Sequence, residues 1–446
     1  MNQLLRRQFL CRAAALAASG PLALLESHAA PLSNSGYKAL VCIFLYGGND
    51  GNNVVLPTDS AGYAAYSQAR GVAGAGGLSL DRSVIVDLAG PHAIGLHPAL
   101  SPLADVWNQQ NLAVQANVGT LVKPLTKALY SSGAAALPPS LFSHADQQSQ
   151  WQQGVSGVSV ASGWAGRIAD LQAKSTVPTV LSVAGNSAFI SGVKSAGLAV
   201  PTTGAFKIQG FGATPSSNPL YGLFNKILAM SNPNMEVAAA SDLMQQALQA
   251  SDLLNSALTA SSSTAGLFNG QNNSLAQQLQ AVVKIIAARS SLGVSRQIFF
   301  VSLGGFDTHN DQLNRQKALL AQLGPALKSF YEATQQLGVA QQVTSFTASD
   351  FARTLKPASG GGSDHAWGNH HLVMGGAVRS GLYGQMPTLQ LGGPDDVSDE
   401  GRWLPTTSVE QMGATLATWF GVAAADLPSV FPNLNNFKTT NMGYFG

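Results

Sequence analysis

Ala39–Tyr46, ALVCIFLY, is an unbroken apolar run of strand-forming residues that stops at Gly47-Gly48-Asn49-Asp50-Gly51-Asn52-Asn53. A segment that is hydrophobic at every position has no solvent face. The run therefore predicts a strand buried on both sides, as in a parallel sheet covered by helices. Two further stretches repeat the pattern. Gln297–Leu303, QIFFVSL, ends in Gly304-Gly305-Phe306-Asp307-Thr308-His309, and Gln342–Ala348, QVTSFTA, delivers Ser349-Asp350. Open α/β sheets place ligands at the carboxyl ends of their strands. Three buried strands, each ending in a small-residue loop with a carboxylate, predict a site along one sheet edge built on Asp50, Asp307 and Asp350. Asp50 alone would also suit an Asn-Asp-Gly turn.

The remainder of the chain fits an α/β protein. A short helix from His97 to Trp107 leads into a strand at Leu112–Val118, a crossover that implies parallel pairing. Pro178–Ala184 and Pro387–Leu391 read as further strands. Helical spacing predicts a hairpin over about 236–262 and 274–290, a long helix at Gln312–Gln336 and a last one at Thr407–Phe420. Residues 185–222 are rich in Gly, Ser, Thr and Pro and show no period. The expectation is one domain over residues 30–446, with a peripheral insertion around 185–275.

Arg6-Arg7-Gln8-Phe9-Leu10 is a twin-arginine pattern, followed by the apolar run Ala13–Leu25 and a small-residue cleavage site at Ser27-His28-Ala29. The apolar run is too short for a membrane span and is broken by Gly20-Pro21. Residues 1–29 are thus expected to be an export signal read by the twin-arginine machinery, which leaves a periplasmic or secreted protein without stable membrane insertion. Their removal takes three of 24 basic and one of 22 acidic side chains, leaving 21 of each. A chain of net charge zero has no electrostatic footprint for nucleic acid. Cys11 leaves with the signal. Cys42 remains alone inside an apolar run, which fits a small buried hydrophobe and excludes a disulfide framework.

Of the seven histidines outside the signal, four lie in two loops with adjacent aspartates. Asp307-Thr308-His309 puts an oxygen and a nitrogen ligand two residues apart, on one side of an extended backbone. Ser363-Asp364-His365, after Gly360-Gly361-Gly362, offers a second such pair. Mixed Asp/His sets suit zinc, manganese or iron, with zinc favoured here; oxygen-only sets suit magnesium or calcium. The expected ligands are Asp50, Asp307, His309, Asp350 and His365, with His370 or His371 as a group orienting one of them. Arg353 is read either as a partner of Asp350 or as a clamp on an anionic substrate. Ser143 either caps a helix, with Asp146 completing a capping box, or acts as a nucleophile at that helix N-terminus.

LYGGNDGNNVVLP, SHADQQSQWQ with SGWAGR, GGFDTHNDQ, SDFART, SDHAWGNHHLVMGG and GRWLPTTSV together resemble the bacterial family called domain of unknown function 1501. The resemblance runs from the signal through the final helix. That family is similar to the alkaline phosphatase-like superfamily, which includes sulfatases. The resemblance implies a three-layer α/β/α sandwich with a mostly parallel central sheet and two metals at the strand ends. It matches Asp50, Asp307, His309, Asp350 and His365 to metal ligands and Ser143 to the nucleophile. Phe351 departs from it, standing where a second-site ligand histidine is common. The implied activity is metal-dependent hydrolysis of a phosphate or sulfate ester on a small molecule or polymer. The alternative is an exported binding or assembly protein that keeps the fold and a structural metal.

Overall fold

β1 (Lys38–Leu45) is the pivot of the computed structural model, which describes residues 36–445 apart from 73–74, 174, 203–217 and 261. The export signal read at residues 1–29 lies outside the described residues. β2 (Leu112–Gly119), β3 (Val180–Ser182), β4 (Leu198–Ala199), β5 (Arg296–Leu303), β6 (Val343–Ser349), β7 (Asn369–Gly375), β8 (Gly381–Tyr383) and β9 (Thr407–Ser408) follow. Among the described residues they form one nine-stranded sheet in the order β8-β2-β7-β6-β1-β5-β3-β4, with β9 beside β2. β1 pairs in parallel with β5 on one side and β6 on the other, so the three strands expected to end at a site are direct neighbours. β7 alone runs against the rest, between β2 and β6.

Alternation along β1 explains the continuous apolar run. Ala39, Val41, Ile43 and Leu45 enter one core, and Leu40, Cys42 and Phe44 enter the other. Of the helices that flank the sheet, α1 is Ser60–Arg70, α2 Pro102–Asn108, α3 His144–Gln153, α4 Trp164–Ala169, α5 Pro219–Leu228 and α6 Met235–Thr259. α7 is Ser274–Ala287, α8 Gln312–Gln336 and α9 Val409–Phe420. The first core takes side chains from α2, α7, α8 and the end of α6; the second takes them from α3, α4 and α9. The result is a three-layer α/β/α sandwich with a mostly parallel sheet. Each buried aliphatic or aromatic side chain contributes about 1.5–3 kcal/mol relative to exposure, which is what excludes a polar residue from either face of β1.

Two expectations at the C-terminal end are corrected. Pro387–Leu391 forms no strand, and Leu389 has φ of 56°, outside strand geometry. The last long strand is β7 instead, and its first half, after Asn369, is His370 and His371, which the sequence placed in a Gly-rich loop. Val373 and Met374 pair with strands on both sides, Leu372 and His371 with β2, and this draws the two histidines into the sheet.

Candidate metal centre

The loops after β1, β5 and β6 meet because small residues let their backbones touch. Gly48 has φ of 77°, and a Cβ there would lie 2.5 Å from the Phe351 ring. Gly362 is pressed against the backbone of His309, where a Cβ would come within 2.0 Å of the carbonyl carbon. The Gly-rich loop is therefore clamped: Ser363 donates to the Thr308 carbonyl at 3.2 Å and Gln312 to that of Gly361 at 2.9 Å.

On this frame, the Oδ1 of Asp307 is the hub of three imidazoles. His309 Nε2 lies 3.0 Å from it, His144 Nε2 3.5 Å and His365 Nε2 3.6 Å. The Nε2 atoms of His309 and His365 are 3.0 Å apart. A tetrahedral zinc with nitrogen and oxygen ligands at about 2.0–2.1 Å holds its ligand atoms about 3.3 Å from one another. The observed spacings bracket that value.

The far nitrogen of each ring is held. His144 Nδ1 donates to Asp350 Oδ2 at 2.7 Å, and His365 Nδ1 donates to the Phe142 carbonyl at 2.7 Å. His309 Nδ1 faces Asp364 Oδ1 at 3.3 Å. Carboxylates and carbonyls only accept, so the neutral rings of His144 and His365 keep their protons on Nδ1 and turn the Nε2 lone pair inward. The 3.0 Å between the Nε2 atoms of His309 and His365 is satisfied by a shared proton or by a cation between them. His144 Nε2 is buried and has no hydrogen-bond partner among the described residues. Held Nδ1 and free Nε2 is the arrangement of a metal-ligating histidine. The ligand atoms of His144, Asp307 and His365 lie within 4.8 Å of one another, a donor set suited to a single transition metal, with His309 beside it.

Charge in the cluster follows the same contacts. Burial raises the Asp307 carboxyl, but the Arg353 guanidinium beside it outweighs this and brings its pKa down to about 2. The bond to Asp350 holds His144 above the ordinary imidazole range, whereas burial holds His365 below it. Phe351 packs against both the His144 and His365 rings, at 4.8 and 4.6 Å between centroids, and the two imidazoles touch edge to face at 4.4 Å.

The other expected site residues lie close by with different partners. Asp50 is buried and forms an ion pair with Arg70 of α1, and it accepts from Gln312 Nε2 at 2.5 Å and Asn52 Nδ2 at 3.1 Å. With its charge balanced and both oxygens bonded, it turns away from the imidazoles. Asp350 stands behind His144, accepting also from Gln148 Nε2 at 2.8 Å and the Gly47 amide at 3.2 Å. Arg353 pairs with Asp307, not Asp350. Its N–H groups go to the carbonyls of Gly48, Ser363 and Gly47, to Asp307 and toward His309, leaving none free to clamp a substrate. Ser143 is the N-cap of α3, its Oγ accepting from the Asp146 amide at 3.5 Å. His370 and His371 are buried in β7, away from the cluster, with His370 Nδ1 accepting from the Asn117 amide at 3.1 Å. The strand ends thus gather one cluster of ligand atoms, where the resemblance implied two metals.

His144 is the candidate ligand that sequence reasoning passed over. Its signal was the i, i+4 pair His144 and Gln148, which share one face of α3 and both bond Asp350. Asp364, the partner of His309, was visible only as the neighbour of His365.

Comparison with known proteins places these observations. A family model described as "Protein of unknown function (DUF1501)" matches residues 37–422, so the chain belongs to that family. No curated protein matches the chain. Among solved structures it is similar to a protein in the alkaline phosphatase superfamily from Vibrio parahaemolyticus, at 11% identity and TM-score 0.34, covering 87% of this chain and 67% of that one. It is also similar to alkaline phosphatase from the Antarctic bacterium TAB5, at 9% identity and TM-score 0.29, covering 80% and 96%. Likenesses of this size carry no argument about activity.

Proposed function

We propose that this member of the DUF1501 family is an exported metal-dependent hydrolase of a phosphate or sulfate ester, with one transition metal, zinc favoured, at the strand ends. The observation that supports the reading is the convergence of His144, Asp307 and His365 ligand atoms within 4.8 Å, with both rings held through Nδ1. The half-open setting of Asp307 and His309 supports access by a substrate. The ester class rests on the family resemblance, and export rests on the twin-arginine pattern.

When bound, such a metal supplies Lewis-acid polarisation of the ester and acidification of water. The chain's own residues prepare the place. Arg353 fixes Asp307 and keeps it ionised, Asp350 and the Phe142 carbonyl hold protons on the Nδ1 atoms of His144 and His365, and Phe351 packs against both of those rings. With Ser143 Oγ turned to the α3 amide, water is the favoured nucleophile.

The test is metal analysis of the purified protein together with a panel of phosphate monoesters, diesters and sulfate esters. One equivalent of metal is expected, lost in His144→Ala along with hydrolysis, while Ser143→Ala keeps both. Absence of stoichiometric metal, or full hydrolysis by His144→Ala, overturns the reading. The second reading, a non-catalytic binding or assembly protein with a structural metal, is favoured by the full engagement of Arg353. It predicts the same metal content with no turnover on any ester.

A further inference from the structure

One buried side chain joins the loops that carry the candidate ligands. In the loop after β5 burial alternates: Phe306 and Thr308 are buried, whereas Asp307 and His309 are exposed. Thr308 is thus the inward-facing residue between two outward-facing ones, as an extended backbone requires. In the Gly-rich loop Ser363 is fully buried, two residues before His365. The hydroxyls of Thr308 and Ser363 both donate to one atom, Gln312 Oε1, the first at 3.1 Å. A carboxylate only accepts, so Asp50 Oδ2, 2.5 Å from Gln312 Nε2, settles which end of the amide faces the hydroxyls. The main-chain N–H of Gln312 donates to the Gly361 carbonyl at 2.9 Å. One turn further along α8, Gln316 Nε2 donates to the main-chain carbonyl of Asp50 at 2.8 Å. Gln312 is fully buried, and α8 behind it is anchored in the first core through Leu320, Leu323 and Leu327.

We propose that Gln312 is a positioning residue of the metal centre. It holds Thr308 and Ser363 so that Asp307 and His365, with His309 beside them, keep the spacing of one donor set. The proposal rests on the metal reading above. A carbonyl oxygen has two lone pairs, and here each takes a hydroxyl from a different loop, so one atom sets the distance between the loops. Ligands hold their geometry only when the groups behind them are themselves locked by packing and hydrogen bonds. The same contacts give Asp50 a task outside the donor set. Neutralised by Arg70, it accepts from Nε2 and fixes the amide.

The test compares two glutamines in the purified full chain. Gln312→Met keeps the length of the side chain and removes both of its polar ends. Gln278→Met does the same to a buried glutamine of α7 that bridges Ser302 of β5, donating to its carbonyl at 3.0 Å and accepting from its amide at 2.8 Å. Both variants should melt below the unaltered chain. Zinc affinity, read by competition with a chromophoric chelator, should fall by about 10-fold or more in Gln312→Met and stay unchanged in Gln278→Met. The visible spectrum of the cobalt-loaded protein reports ligand geometry rather than stability, and it should shift in Gln312→Met alone. If Gln312→Met fails to fold, Thr308→Val removes one of the two hydroxyls at unchanged shape and should give a smaller loss of affinity with the same spectral shift. Affinity and spectrum left unchanged by these variants, or an equal loss in Gln278→Met, overturn this proposal alone. An unaltered chain that binds no zinc overturns the metal reading and the proposal with it.

Discussion

Asp50 and Asp307 start from the same place, each in the loop after a buried parallel strand, and end with opposite surroundings. Asp50 is 1% exposed and neutralised by Arg70, with amide donors on both oxygens. Asp307 is 49% exposed and has three imidazole nitrogens aimed at one oxygen, with Arg353 on the same atom. A strand-end carboxylate is therefore only a candidate ligand. What decides its task is whether internal donors satisfy both oxygens and bury them, as at Asp50, or leave the group half-open with imidazoles beside it, as at Asp307.

The sharpest way to break that contrast is to unpair Asp50. Arg70→Ala leaves a buried carboxylate without its counter-ion, which costs about 3–5 kcal/mol. Chemical denaturation should show that loss while the folded variant retains its single equivalent of metal. If metal content falls in proportion to a small stability change, Asp50 belongs with the ligands and the division is wrong.

The next effect concerns the group behind His144. Asp350→Asn keeps the shape but removes the charge that holds the Nδ1 proton and raises the imidazole pKa. Orienting partners of metal-bound histidines contribute about 10–100-fold in affinity. Competition with a chromophoric chelator should register that loss. Unchanged affinity would mean that Asp350 serves only Gln148 and Gly47.

How much of this could be read beforehand follows from the range of the interactions. The three core strands and their parallel pairing were legible because pattern is a local property, as was the presence of Asp307, His309 and His365 in loops at one sheet edge. The fate of Asp50 was not, since Arg70 lies on a helix twenty residues away and only packing brings it in. Arg353 could be seen as charged, but its pairing with Asp307 rather than Asp350 depends on how the β5 and β6 loops cross. Ser143 drew attention that belonged to His144 beside it, because a helix N-terminus explains a serine equally well as a cap and as a nucleophile. The pair His370 and His371 misled for a related reason: two titratable residues obscured a strand whose apolar half is only Leu372–Met374.

Those two residues supply the mildest test, because they reverse the logic of the site. The cluster imidazoles are held from behind and open in front. His371 is sealed, with both ring nitrogens lacking a partner among the described residues and its ring edge-on to Trp151 at 4.8 Å. Burial pushes its pKa down to about 3, and that of His370 down to about 4. A histidine whose folded pKa lies below its unfolded value of about 6.5 binds fewer protons when folded. Stability is then intact above the unfolded pKa and is lost as pH falls from about 6.5 toward the folded value. His371→Leu, of similar volume and without a titrating group, should lose roughly 1–2 kcal/mol less than the unaltered chain between pH 7 and pH 5. Urea denaturation at the two pH values measures it. Parallel losses would show that His371 finds a proton acceptor or water inside the sheet, and that the sealed side of the strand ends is less dry than its packing indicates.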